Sequence, residues 1–179
     1  MPAAGPFRFA GAEGQTLDGR LEQPEGAAVG TALFAHCFTC TKQSKAATRI
    51  ARALAGAGWR VLRFDFTGLG DSEGEFANAG FVTNVDNVAA AAAALDAAGD
   101  PVDLLVGHSL GGAAVIAAVE RVPSARAVAV IGAPFHVEHV LDRLGEGVKA
   151  VEDAGTATID IGGRPFTIYK FRSMHVNAE

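Results

Sequence analysis

Hydrophobic and polar positions change rhythm along the 179-residue chain. The first stretch alternates, Phe7-Arg8-Phe9 and then Thr16-Leu17-Asp18-Gly19-Arg20-Leu21-Glu22, with Gly14 between the two. A period of two predicts short, half-exposed antiparallel strands. Gly26 and Gly30 then punctuate the chain, and from Thr31 the pattern turns into short continuous apolar runs at 31–35, 60–64, 102–106 and 127–131. Such runs, bounded by Gly, Pro or Asp, predict strands buried on both faces of a parallel sheet.

Helical periods separate them. Ala47, Ile50, Ala51 and Leu54 share one face, and Gly56 and Gly58 end that element. Phe81, Val85, Val88, Ala92 and Leu95 form a second stripe, for which Thr83 or Asn84 is the expected cap. A third helix is expected from Leu110 to before Pro123. Strands alternating with helices predict an α/β fold: a mostly parallel sheet with right-handed crossovers, helices on both faces and antiparallel N-terminal strands. After Ile131 the alternation stops. Val137, Val140, Leu141, Leu144, Val148 and Val151 predict an amphipathic helix, followed by a hairpin of 156–161 and 166–171 around Gly162-Gly163. The expected organisation is one domain over 1–179, with a sheet core at 1–133, a cap-like helix and hairpin at 134–171, and a frayed tail at 172–179.

Composition narrows the function. Hydrophobic residues make up 49% and charged residues 20%, which excludes a disordered or fibrous chain. A net charge of -5 without a basic cluster leaves no footprint for nucleic acid or an anionic membrane surface, and neither is expected as a partner. No apolar run approaches the roughly 20 residues that cross a bilayer, and Met1-Pro2-Ala3-Ala4-Gly5-Pro6 is unlike a signal peptide. A cytoplasmic location is the expectation.

Candidate chemistry lies at the ends of the buried runs. Gly107-His108-Ser109-Leu110-Gly111 follows an apolar strand and opens a helix, the context of a GxSxG nucleophile elbow. Ser109 sits on the strained turn, and the flanking glycines let backbone approach without a Cβ clash. The Leu110 N–H, at a helix N-terminus, suits an oxyanion donor. A tight turn with an incidental serine is the plain alternative. His36-Cys37-Phe38-Thr39-Cys40 ends the first buried run. Its CxxC admits thiol redox chemistry. A zinc site would need two more ligands, and no metal is expected. The preferred reading makes this loop the source of a second oxyanion amide near Phe38, with Cys37 and Cys40 as small packing residues. Asp65-Phe66-Thr67-Gly68-Leu69-Gly70-Asp71-Ser72-Glu73-Gly74 fails as a dinucleotide fingerprint, since no helix opens on its glycines, and a solvated turn-rich loop is its plain reading. No cofactor is expected.

In order along the chain, His36-Cys37-Phe38, the DxxGxGxS segment from Asp65 through Gly68 and Gly70 to Ser72, and GHSLGG from Gly107 through Gly111 resemble the α/β-hydrolase fold. The wording of these segments, with Gly132-Ala-Pro, resembles the hydrolase half of bifunctional α/β hydrolase/OsmC-like proteins. The resemblance implies a serine hydrolase acting on an ester, thioester or amide of a small-molecule acyl substrate, with Ser109 as nucleophile and the Leu110 and Phe38 amides as oxyanion donors. Cys37 stands where many members have Gly.

A triad in this fold runs Ser, acid, His in chain order. The resemblance implies a form shortened at its C-terminus, since family members carry the acid and base on further strands. Of the remaining histidines, His136 and His139 are the base candidates. His175 follows no strand and His108 should point away from Ser109 Oγ; Asp142, Asp153 and Asp160 have no assigned partner. A catalytically inactive remnant or interaction module is the alternative to an enzyme, and a CxxC redox protein is the third reading. With no parallel strand read after 127–131, that run is expected to be a sheet edge open to self-association.

Overall fold

The computed structural model describes residues 3–38, 40–134, 156–160 and 165–169. The chain divides into two compact units, Met1–Ala133 and Pro134–Glu179. In the first, strands β1 (Ala4–Ala10), β2 (Thr16–Glu22), β3 (Gly30–Ala35), β4 (Trp59–Phe64), β5 (Leu104–His108) and β6 (Ala127–Ile131) are interleaved with helices α1 (Lys45–Gly56), α2 (Phe81–Ala97) and α3 (Leu110–Ala118). They form one sheet in the order β1-β2-β4-β3-β5-β6. β1, β2 and β4 run antiparallel to their neighbours in turn, and β4, β3, β5 and β6 are parallel. The second unit contains β7 (Thr156–Asp160) and β8 (Pro165–Tyr169), an antiparallel pair in the register Thr156↔Tyr169 to Asp160↔Pro165.

Side-chain alternation explains the layers. In β3, Ala32 and Phe34 join Val61 and Val106 on one face, where Ala47 and Ala51 of α1 cover them. Leu33 and Ala35 join Leu62, Phe64 and Leu105 on the other face, under Val88, Ala91 and Leu95 of α2 and Ala114, Val115 and Ala118 of α3. Each fully buried Leu, Val or Phe contributes about 1.5–3 kcal/mol from its removal from water. Ser44 caps α1 by accepting the Ala47 N–H.

Four expectations need correction. The third parallel strand starts at Leu104 rather than 102: its pairing with β3 begins at Ala32↔Leu104, and at Asp103 the Thr31 N–H is taken by the side-chain carboxylate at 3.0 Å in place of a backbone carbonyl. Helix α2 starts at Phe81 behind Gly80, so neither Thr83 nor Asn84 is its cap; Phe81 is exposed, and Asn84 lies on the buried face. β6 is not covered on both faces: all five residues are exposed, and β5 is its only partner among the described residues. The hairpin pairs 156–160 with 165–169, so the first arm ends at Asp160 and not at 161, and the second runs 165–169 and not 166–171. The amphipathic helix expected over 137–151 and the tail at 172–179 lie outside the described residues.

Candidate active site

Ser109 occupies the single residue between the end of β5 and the start of α3. Its φ of 52° and ψ of -119° make it the only non-glycine residue with positive φ among the described residues. A backbone held there is strained by about 1–3 kcal/mol, a cost that folded proteins keep at functional turns. The neighbouring chain enforces it. The Ser109 N–H donates to Ile131 O at 2.8 Å, and its C=O accepts from Gly112 N–H and Ala113 N–H.

The glycines around it have no room for a side chain. A Cβ on Gly107 would lie 2.4 Å from Gly111 O, and one on Gly111 would lie 2.3 Å from Ala35 O and 2.4 Å from His36 O. The start of α3 is therefore pressed against the end of β3, which places the elbow beside the segment carrying Phe38. Among the described residues, no hydrogen bond engages the Leu110 N–H, which projects at the N-terminus of α3. Ser109 is half-buried, and His108 is the last residue of β5, paired with Ile131. His136, His139, His175, Asp142 and Asp153 lie outside the described residues.

The loop after β3 is bound at both ends. His36 is buried; its Nδ1–H donates to Cys37 O at 2.8 Å, leaving Nε2 to accept the Phe66 N–H at 3.4 Å. Burial pushes the imidazole pKa below its ordinary value, against the bond to Cys37 and the nearby Asp65, which favour the charged form. Cys37 and Cys40 are joined in a disulfide with Cα atoms 5.3 Å apart, not two separate packing thiols. The turn that brings them together carries a Cys40 N–H bond to Cys37 O. The Phe38 ring is 39% exposed and rests against Phe76 at 5.5 Å.

The Asp65 to Ser72 segment is more than a solvated loop. Asp65 is fully buried and accepts from Lys42 N–H and Lys42 Nζ, each at 2.5 Å, and from Asp71 N–H at 3.0 Å. Gly70, at φ 54°, leaves space for that carboxylate: a Cβ there would sit 2.1 Å from Asp65 Oδ2. Gly68, at φ 72°, would likewise drive a Cβ into Phe76 N. Ser72 Oγ donates to Asp65 O at 2.6 Å and accepts the Asp18 N–H at 2.9 Å. Asn87 reaches from α2 to accept from Thr67 N–H and Oγ, both at 2.9 Å.

Asp18, Asp65 and Asp71 gather as three carboxylates within 4.8 Å of one another, a metal-like set. The Lys42 ammonium fills its centre, at 2.9, 2.5 and 2.6 Å from the three. Burial lowers the Lys42 pKa, and the bonds to Asp65, Asp71 and Asp18 more than offset this, holding it above its ordinary value. Asp18 shows the mirror effect: burial raises its pKa, and its bonds to Arg8 and Lys42 bring it below the usual carboxylate range. Beside this cluster Arg63, also buried, donates to Glu22 Oε1 at 2.8 Å and to Lys42 O. Sequence reasoning missed Lys42, Arg63, Glu22 and Asn87. The available signal was the charge of Arg63 in the middle of the apolar run 59–64, since a buried charge needs a partner.

The alpha/beta hydrolase family model matches residues 32–174. The chain is similar to the esterase domain of a Rhodothermus marinus protein, at 44% identity over 93% of this chain and 65% of that one, with a TM-score of 0.68. It thus spans less than two thirds of that domain. It is also similar to a lidless a/b serine hydrolase from Xanthomonas campestris (26% identity over 73% of this chain and 62% of that one, TM-score 0.64). An alpha-beta serine hydrolase homologue from Coxiella burnetii, 23% identical over 78% of this chain and 68% of that one with a TM-score of 0.65, shares the fold. No curated protein matches the chain. Among the described residues, no helix is long and apolar enough to cross a membrane.

Proposed function

The chain belongs to the alpha/beta hydrolase family, and on that premise we propose that it is a serine hydrolase that takes an acyl group from an ester, thioester or amide onto Ser109. The observation that carries this reading is the positive φ of Ser109 on a turn between β5 and α3 whose glycines admit no side chain. Such a turn lifts the serine Oγ clear of the sheet, where a carbonyl carbon can reach it. Oγ attacks that carbon as a base removes its proton; His136 and His139 are the candidates for the base. The oxyanion of the tetrahedral intermediate is stabilised by the Leu110 and Phe38 N–H groups, the leaving group departs with a proton, and water then releases the acid from the acyl-enzyme. The wording of the 36–40, 65–72 and 132–134 segments supports the branch related to bifunctional α/β hydrolase/OsmC-like proteins.

Reaction with a fluorophosphonate probe tests the reading. Wild-type protein is expected to label at Ser109, and Ser109→Ala to remove the label. A folded wild type that stays unlabelled would instead identify a scaffold that has lost turnover. The Cys37–Cys40 disulfide supports a second reading, thiol–disulfide exchange with a small dithiol. Turnover that disappears with Cys37→Ser and survives Ser109→Ala would establish it.

A further inference from the structure

We propose that Lys42 is a positioning residue for the oxyanion loop, locking segment 36–42 to the end of β4 so that the Phe38 N–H keeps a fixed direction; this rests on the acyl-serine reading above. Three different groups of this one residue engage the same region. Its N–H donates to Asp65 Oδ1 at 2.5 Å, its C=O accepts from Arg63 Nη1, and its ammonium contacts Asp65, Asp71 and Asp18. Asp65 and Arg63 lie at the end of β4 and are buried, so they form a rigid base.

The loop's own bonds cannot do this. Cys40 N–H to Cys37 O, Ser44 N–H to Thr41 O and the disulfide close local turns, and none of them joins the loop to the sheet. His36 anchors the start through Phe66 N–H, and Lys42 anchors the end. Phe38 lies between these two fixed points. An oxyanion donor works by being aimed before the charge develops, so looseness of a fraction of an ångström weakens it. The ammonium itself faces three carboxylates, so it acts through the backbone it holds and not as a charge offered to substrate. Its loss should therefore change the chemical step and leave ground-state binding alone.

Two measurements test this on Lys42→Met, with Lys42→Arg as the conservative rescue and Val88→Ala, in the buried stripe of α2, as a control for general destabilisation. In Lys42→Met, amide exchange at Cys40 and Ser44 should accelerate more than in Val88→Ala. The maximal rate of fluorophosphonate inactivation should fall about tenfold or more, short of the hundredfold or greater loss when a donor is removed outright. The half-saturating probe concentration should not change, and Lys42→Arg should recover part of the rate. If Lys42→Met does not fold, Asp71→Asn, which weakens one contact to the ammonium from an exposed side chain, should move both readouts in the same direction by less. Exchange at Cys40 and Ser44 that rises no further than in the control, or an unchanged inactivation rate, overturns the proposal. An unlabelled wild type would defeat the acyl-serine reading by itself, and the exchange comparison would still decide whether Lys42 holds the loop.

Discussion

A β-carbon on Gly111 would lie 2.3 Å from the carbonyl oxygen of Ala35, so the first turn of α3 touches the last residue of β3 with only a hydrogen between them. The elbow and the start of the loop that carries Phe38 are thus set at one spacing by the absence of a methyl group. Gly111→Ala must push them apart. It should cost about 1–3 kcal/mol in denaturant unfolding, as overpacking does, and slow fluorophosphonate labelling beyond what the remaining folded fraction explains.

Ser109 carries its strain in the backbone, so alanine at this position inherits it and glycine does not. Both substitutions should abolish labelling. Ser109→Gly should unfold at higher denaturant than Ser109→Ala, by about 1 kcal/mol, being the relieved strain less the greater freedom of an unfolded glycine.

Acid should act on the His36 contact before it reaches the carboxylates. The folded pKa of His36 lies below its ordinary 6.5, so the unfolded chain binds more protons; the contribution is complete above pH 6.5 and is lost as pH falls beneath it. Protonation also turns Nε2 from an acceptor into a donor facing the Phe66 N–H. Asp18, depressed below 3.8, keeps its contribution until the pH falls below that value. Unfolding free energy measured from pH 7.5 to 5 should therefore decline in wild type and be flatter in His36→Gln. Equal slopes would remove His36 as the cause.

The alternation of apolar runs and helical stripes made the parallel order legible, because a strand buried on both faces carries apolar residues at both side-chain parities, with a charge such as Arg63 admitted only where it is paired. Ser109 was legible for a local reason: its glycines, its strand and its helix are contiguous. Lys42 was not, since its partners Asp18, Asp65 and Asp71 come from β2 and from the loop after β4, and only the sheet order β2-β4-β3 brings them to one place. Periodicity also misplaced Phe81. An apolar residue at the right angular position for the stripe sits in the first turn of α2, where the helix has not yet reached the core.

The exposure of Val128, Val130 and Ile131 on β6, at 39%, 44% and 45%, leads us to propose self-association through this strand. Sedimentation at micromolar concentration should show species larger than the 18.3 kDa monomer, and Val130→Lys should reduce them. A wild-type monomer, or association that Val130→Lys leaves intact, would count against β6 as the contact.

The β1–β2 hairpin looks expendable from its place at the rim of the sheet, yet it is stitched to the turn that follows β4. Asp65 N–H donates to Asp18 O, Asp18 N–H to Ser72 Oγ, and Glu73 N–H to Thr16 O, while Thr16 N–H returns a bond to the Glu73 carboxylate. A fragment beginning at Gly30 would retain every motif that suggests chemistry and lose the β2 bonds that help to hold one of them. Proteolytic clipping between β2 and β3 would be a different event from truncation, since the cut hairpin would still have its bonding partners. The turn that follows β4 in this chain therefore depends on a stretch of sequence that carries none of the motifs suggesting chemistry.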